Sequence, residues 1–491
     1  MAPNDPSFDE IIAKILACDD ASAVTKTLVP FLNNLNEQVF SACPPGQGDP
    51  LDALSPAVHS FAYLYFLVHR CRASHGFHPS LMEKVWEFVN TCDGEQVRLA
   101  SDKALSFAEA LVKMATESNQ PIIAIRPLAV FVQRLQASKG QLTMIHPLLA
   151  KTCLLAQSFK DIIPIIDNDI SDVNPVNTHI NYKDFLLYHY YGGMIYAYLK
   201  KFERAVEFFG LAVSAPAEVA SAIQIEAYKK YVLTSLLQYG KSDIKVDIFA
   251  SLTKVPILPK YTAPAVIKCV KIHCGPYTDF AAAYEKKSNT AIKTELEKVK
   301  TVFVRDKNFG LAKQCMEALH RRNIQDLTRT YLTLSIADIT NLIGLGSESD
   351  GARRVEGIIV RMIESGDIFA TISHEHAGGM VSFLDDPNHH NNTVTMDMIN
   401  AHIQKATVIT SSLVAMDQAI SSMPAYFNKG AHLSDRSGFP LDEADYSMHL
   451  GYETYADEAT PRDPIKKRAR SRSRSRSERE GRRLDYEDLA A

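Results

Sequence analysis

The sequence predicts an all-α protein: a right-handed α-solenoid of helix pairs that ends in a winged helix, followed by a long helix and a disordered tail. Three observations predict this fold. Apolar residues recur three and four positions apart from residue 7 to residue 330, which is the period of amphipathic helices. Residues 331–386 change to a pattern of helix, turn, helix and hairpin. The last part of the chain is polar and repetitive, so it cannot bury apolar area.

Length and composition allow a large folded body. The chain has 491 residues, of which 46% are hydrophobic and 22% are charged, as is typical of globular proteins. No run of about 18 apolar residues appears, so we expect no membrane span. The first residues are acidic where a secretion signal needs a basic and then an apolar stretch, so we expect an intracellular protein. We expect the eight scattered cysteines to be reduced and mostly buried.

Charge is unevenly distributed along the chain. The net charge is −4, yet residues 462–483 carry eleven Lys or Arg against three Asp or Glu, a net charge of +8. The rest of the chain therefore carries −12. An acidic body of this kind is not suited to hold nucleic acid, so we expect no specific nucleic-acid ligand.

Helical segments joined by short polar or Pro/Gly connectors fill the first part of the chain, and such helix pairs stack into a solenoid. Residues 189–216 resemble a tetratricopeptide repeat, in which small residues let two helices approach closely and aromatic residues fill the space between pairs. His189 and Gly192 stand where that repeat has Trp and Leu, so the match is partial, and generic helix pairs describe the other segments equally well. The matching positions are Gly193, Tyr196, Ala205, Phe209 and Ala212.

Residues 331–386 have the outline of a winged helix. Ser335 is a candidate N-cap for the first helix, and Gly344 stops that helix. The second helix carries an apolar stripe and ends at Gly366. Two strands with alternating apolar residues follow, and Gly379 lies in the turn between them.

The two predicted wing strands are the first candidate interface. We expect them to add edge to edge to the wing of a neighbouring subunit. DNA reading is disfavoured, although the second helix carries Arg353, Arg354 and Arg361, because residues 368–386 contain no Lys or Arg. The predicted interface residues are Ile368, Ala370, Ile372, Met380, Ser382 and Leu384.

Stacked helices that lead into a winged helix resemble the PCI domain, a module of the proteasome lid, the COP9 signalosome and translation initiation factor 3. The resemblance rests on residues 277–284 (YTDFAAAY), 334–339 (LSIADI) and 362–370 (MIESGDIFA). Two narrower phrases, residues 379–383 (GMVSF) followed by Asp386-Pro387 and residues 415–418 (AMDQ), resemble the subunit 3 family of the signalosome. The match covers residues 160–425.

This resemblance divides the chain into four parts. With no evident linker before the winged helix, we expect the solenoid and the winged helix to share one core. The parts are a helical-repeat arm (1–205), a PCI domain (206–386, with its winged helix at 331–386), a C-terminal helix (396–423) and a tail (424–491).

The C-terminal helix is the second candidate interface. Its apolar residues recur at intervals of three, four and seven positions and form a stripe over about 27 residues, or roughly 40 Å. Such a stripe needs a partner. The resemblance implies a bundle with the C-terminal helices of other subunits, and the alternative is that the helix folds back on its own solenoid. The interface residues are Ile399, Ile403, Leu413, Met416 and Ile420.

The tail carries two kinds of signal. A cluster of basic residues is a candidate nuclear-import signal, and phosphorylation of the alternating serines would offset the charge of their arginines. The alternatives are that the tail contacts RNA nonspecifically, or that it is a basic tail without a localisation signal. The import candidates are Lys466, Lys467, Arg468 and Arg470, and the phosphorylation candidates are Ser471, Ser473, Ser475 and Ser477.

No catalytic, cofactor-binding or metal-binding residues are assigned. His374 and His376 resemble the histidine pair of JAMM-type zinc isopeptidases, but that motif continues with Ser and Asp where this chain has Leu384 and Pro387. A zinc site needs a third protein ligand. Cys269, His273 and Cys274 lack a second cluster at zinc-finger spacing.

The resemblance implies a non-catalytic scaffold subunit of the COP9 signalosome, which removes Nedd8 from cullin-RING ubiquitin ligases by means of a different, JAMM-type subunit. Implied partners are the other PCI and MPN subunits and cullin-RING ligases, and the implied location is nucleus and cytoplasm. The alternatives are a scaffold subunit of the 26S proteasome lid, an RNA-binding adaptor that uses the Arg-Ser tail, and a metalloprotease.

Overall fold

The computed structural model describes residues 8–17, 24–35, 40, 49–74, 76, 78–173, 180–239, 258–259, 262–344, 349–374, 379–385 and 393–424. The chain forms two compact units, Met1–Pro387 and Asn388–Ala491. No helix among the described residues is both long and apolar enough to cross a membrane. The tail signals lie outside the described residues: Lys466, Lys467, Arg468, Arg470, Ser471, Ser473, Ser475 and Ser477.

Helices build the described part of the first unit between residues 8 and 328, and a π-helical turn lies at Val24–Leu28. Apolar residues at helical spacing form the buried faces along which consecutive helices pack. The predicted all-α solenoid is confirmed. The helices are α1 (Phe8–Leu16), α2 (Val29–Asn33), α3 (Pro50–Ala53), α4 (Ser60–Ala73), α5 (Pro79–Thr91), α6 (Gly94–Leu99), α7 (Ser101–Glu117), α8 (Ile122–Leu135), α9 (His146–Ala156), α10 (Ile163–Ile166), α11 (Tyr182–Tyr198), α12 (Phe202–Ser214), α13 (Ala222–Tyr239), α14 (Pro264–His273), α15 (Gly275–Glu285), α16 (Asn289–Arg305) and α17 (Phe309–Thr328).

The repeat-like pair α11 and α12 packs closely because two glycines face two phenylalanines. A Cβ on Gly192 would lie 2.6 Å from Cδ1 of Phe208, and a Cβ on Gly193 would lie 2.7 Å from Cε1 of Phe209. Both distances are shorter than van der Waals contact allows. Gly192, which departs from the repeat pattern, is therefore as necessary to this packing as Gly193.

A winged helix completes the first unit, as predicted. Ser335 is the N-cap of its first helix, with Oγ accepting a hydrogen bond from the backbone N of Asp338 at 3.0 Å. Gly344 ends that helix with φ of +75°. The elements are β1 (Thr333–Ser335), α18 (Ile336–Ile343), α19 (Ser349–Glu364), β2 (Phe369–Ser373) and β3 (Met380–Leu384).

The solenoid and the winged helix have separate apolar cores, which corrects the expectation of a single one. Ala312 and Cys315, near the start of α17, lie in the solenoid core. Ile324, near the end of the same helix, packs in the winged-helix core with residues such as Ile339 and Ile359. The 20 residues of α17 span about 30 Å, so its two ends serve different cores. The helix α17 is thus the structural link between the two parts.

The second unit contains the helix α20 (Thr393–Ser421), which covers most of the predicted residues 396–423. The predicted boundary between residues 205 and 206 lies within α12, and the domain division remains a prediction.

Candidate interaction surfaces

The wing is a three-stranded antiparallel sheet in the order β1-β3-β2. The strand β3 lies in the middle, because it pairs with β1 on one side and with β2 on the other. Its residues Met380, Ser382 and Leu384 therefore do not form an open edge, which corrects their predicted place in the sheet, while their part in a subunit interface stays a prediction. The edge strands are β2 and the short β1. The strand β1 was missed because three residues are too few to show an alternation.

The other three predicted wing residues face the core of the winged helix rather than solvent. Ile368 is buried, Ala370 lies opposite Phe383, and Ile372 lies opposite Val381. Phe383 and Val381 are buried, and cross-strand partners share a face of the sheet. The edge strand β2 can thus offer its backbone to a partner, while these side chains hold the sheet to its helices.

The opposite, outer face of the sheet carries an exposed apolar pair at its end. Phe369 on β2 lies opposite Leu384 on β3, and their side chains are 39% and 57% exposed. Leu332, whose carbonyl oxygen accepts a hydrogen bond from the backbone N of Phe383 at 2.8 Å, adds another exposed apolar side chain nearby. Phe369 and Leu332 were missed because an alternation of apolar residues does not show which face meets the core.

His374 connects the wing to α19. Its Nε2 atom lies 3.2 Å from Oε1 of Glu356, and its side chain is largely exposed. His376, the other histidine of the predicted pair, lies outside the described residues. Among the described residues, no group of three His, Cys, Asp or Glu is placed to hold a metal ion. Burial raises the pKa of the Cys274 thiol to about 12, which disfavours the thiolate that zinc requires.

The three arginines on α19 are all exposed, and two of them line a groove. Arg354 and Arg361 line a groove between α19 and α17, whereas Arg353 is exposed outside that groove. A winged helix that reads DNA usually also carries a basic wing, and residues 368–386 contain no Lys or Arg.

The helix α20 carries the apolar interface residues predicted for it, which we call the seam. All of its described side chains with assigned exposure are exposed, including Leu413 at 60%. Val408 is also apolar and 64% exposed, but it lies about 140° around the helix from Leu413. The seam residues are Ile399, Ile403, Leu413, Met416 and Ile420.

Two family models match this chain. The model for the N-terminal helical repeats of COP9 signalosome complex subunit 3 matches residues 25–266, and the PCI domain model matches residues 296–385. The second match begins within α16 and covers α17 and all five elements of the winged helix.

Two curated relatives are similar over most of their length. COP9 signalosome complex subunit 3 of Arabidopsis thaliana is 35% identical over 400 residues, which are 80% of this chain and 86% of the relative. The protein of the same name from Dictyostelium discoideum is 31% identical over 381 residues, 77% of this chain and 86% of the relative. These matches confirm the resemblance carried by the short phrases in the winged helix and α20. The chain belongs to the COP9 signalosome subunit 3 family.

Proposed function

We propose that the chain is a non-catalytic scaffold subunit of the COP9 signalosome. In this role it holds other PCI and MPN subunits in place while a different, JAMM-type metalloprotease subunit removes Nedd8 from cullin-RING ubiquitin ligases. The membership in the subunit 3 family supports the proposal, because the relatives carry the name of that complex. We propose that the chain acts in the nucleus and the cytoplasm, with the basic cluster of its tail as a candidate nuclear-import signal.

The observation that carries the scaffold role is the exposed apolar stripe of α20. Its seam places isoleucine, leucine and methionine side chains in water over several turns. Burying each such side chain contributes about 1.5–3 kcal/mol, so an interface along the stripe supplies enough free energy for stable assembly. A bundle with helices of other subunits is the partner that the family resemblance implies.

The wing offers a second contact of a different kind. The edge strand β2 has one side without a neighbouring strand among the described residues, so its backbone can pair with a strand of another subunit. Phe369 and Leu384 add apolar area beside that edge. Together, the wing and α20 would attach the chain at two separate surfaces, as a scaffold requires.

Affinity purification of the tagged chain at its natural level, with mass spectrometry of the co-purifying proteins, tests the proposal. We expect the other PCI and MPN subunits of a signalosome and Nedd8-cleaving activity in the eluate. Recovery of proteasome lid and base instead would keep the scaffold role and change the complex. Recovery of RNA and splicing factors alone would contradict the proposal and favour an adaptor that acts through its tail.

A further inference from the structure

The helices α17 and α19 enclose a groove of about 610 Å³ in the first unit. Its lining from α17 includes Lys313, Met316 and His320, which are three and four positions apart and so share one helix face. Its lining from α19 includes Arg354 and Arg361, which share the opposing face. The volume lies in the range of small-ligand sites.

Positive charge dominates the lining of this groove. Six cationic side chains face two acidic ones, Glu317 and Asp367, a net charge of +4 with histidine neutral. The whole chain has a net charge of −4, so the groove is opposite in sign to the chain that contains it. The cationic residues are Lys200, Lys293, Lys313, Arg321, Arg354 and Arg361.

None of these six cations forms an ion pair with a carboxylate of the described residues. Some exposed cations outside the groove are paired, such as Lys298 with Glu295 at 2.9 Å. Like charges gathered without counter-charges repel one another, and an anion between them removes that cost. The cluster is therefore suited to a ligand with several negative charges.

His320 contributes a buried polar atom to the same groove. Its Nδ1 has no hydrogen-bond partner among the described residues. Burial and the positive charges of Lys293 and Arg354 lower the pKa of His320, so the unliganded imidazole is neutral at pH 7. An anion in the groove would counter the charges of these two cations.

We propose that this groove binds a compact polyphosphate, a small molecule with several phosphate groups. Arginine guanidinium groups match the paired oxygens of phosphate, and three arginines line the groove. A long nucleic acid fits less well, because its backbone would continue onto an acidic body whose wing has no Lys or Arg over residues 368–386. A compact anion needs only the groove.

Isothermal titration calorimetry of the full chain with tripolyphosphate tests this proposal. Sulfate at equal ionic strength serves as the reference anion. We expect saturable binding of tripolyphosphate and none of sulfate in the same concentration range. Arg354→Gln and Lys293→Gln, on two different helices, should each weaken binding about tenfold, because each removes a charge-assisted contact.

Arg353→Gln is the matched control, since this neighbour of Arg354 is exposed outside the groove. It should change the affinity less than about twofold. Each variant's unfolding midpoint is compared with that of the wild type, so that a folding defect is not mistaken for lost binding. Absence of tripolyphosphate binding, equal losses in Arg353→Gln and Arg354→Gln, or binding only of an oligoglutamate peptide or RNA would overturn the proposal.

Discussion

The ammonium group of Lys229 lies 2.8 Å from the carboxylate of Asp306, although 77 positions separate the two residues in sequence. Their side chains are only 8% and 6% exposed. The Tyr277 hydroxyl donates a second hydrogen bond to Asp306 at 3.0 Å, and Asn308 donates to the Tyr277 oxygen at 2.9 Å. The pair thereby fixes α13 and α15 to the turn between α16 and α17, within the solenoid.

Asp306→Asn should destabilise the chain by about 2–3 kcal/mol, because it leaves the buried ammonium of Lys229 without its main counter-charge. Urea unfolding followed by circular dichroism measures this change. Glu226→Gln is the control, since Glu226 contacts the same ammonium at 2.6 Å but is 40% exposed, and it should cost less than about 1 kcal/mol. Equal losses in both variants would show that Asp306 has no special role.

The same pair predicts a dependence of stability on pH. Burial raises the pKa of Asp306, but hydrogen bonds from Lys229, Arg305 and Tyr277 outweigh it and hold the pKa below its ordinary value of 3.8. The carboxylate therefore contributes stability that is complete above pH 3.8 and lost as pH falls through the lower, folded-state pKa.

The contribution of Lys229 to stability depends on pH in the opposite direction. Burial lowers its pKa, but Asp306 and Glu226 raise it above the ordinary value of 10.5, so its contribution is complete below pH 10.5 and lost above. We expect the difference in unfolding free energy between wild type and Asp306→Asn to be constant from pH 5 to 8. This difference should shrink below pH 3.8. A constant difference down to pH 2 would contradict the lowered pKa of Asp306.

Gly193→Ala should destabilise the chain by about 1–3 kcal/mol, because the added Cβ would lie less than 3 Å from three ring atoms of Phe209. The measurement is the free energy of unfolding in urea. Gly357→Ala on α19 is the matched control, since nothing lies within 4 Å of its added Cβ. Helix propensity alone should stabilise this control by up to about 1 kcal/mol. Stabilisation by both changes would mean that α11 and α12 are not closely packed.

Local pattern was enough to predict the helices of the winged helix and their ends. Ser335 and Gly344 act within one turn of the residues that they cap, so the sequence shows them directly. The apolar stripe of α20 was also predicted, because the spacing of apolar residues along a single helix is visible in the sequence. Short phrases in these elements were sufficient to identify the family.

Relationships between distant segments were not predictable. Nothing near Lys229 in the sequence points to Asp306, and nothing near Arg354 points to Lys293 on another helix. The position of β3 depends on β1, whose three residues carry no signal of their own. The placement of β3 at the sheet edge was wrong for that reason, since strand order is a property of the folded chain.

Phe369→Asp should weaken binding of the chain to its neighbouring subunits by tenfold or more, because it places a charge in an apolar contact beside the edge strand. Val360→Asp is the matched control, since Val360 is also 39% exposed but lies on α19. Quantitative pull-down of the two variants measures the effect. Equal binding of the two variants would exclude this end of the sheet from the interface.

Incorporation of Leu413→Asp into the assembled complex is the most direct test of the scaffold role. The variant chain should fold normally, because Leu413 is 60% exposed, but its recovery in the complex should fall by at least about tenfold. Val408→Asp, on another side of α20, should assemble with full Nedd8-cleaving activity in the eluate. Stoichiometric incorporation of Leu413→Asp would contradict the proposal that this helix attaches the chain to a signalosome.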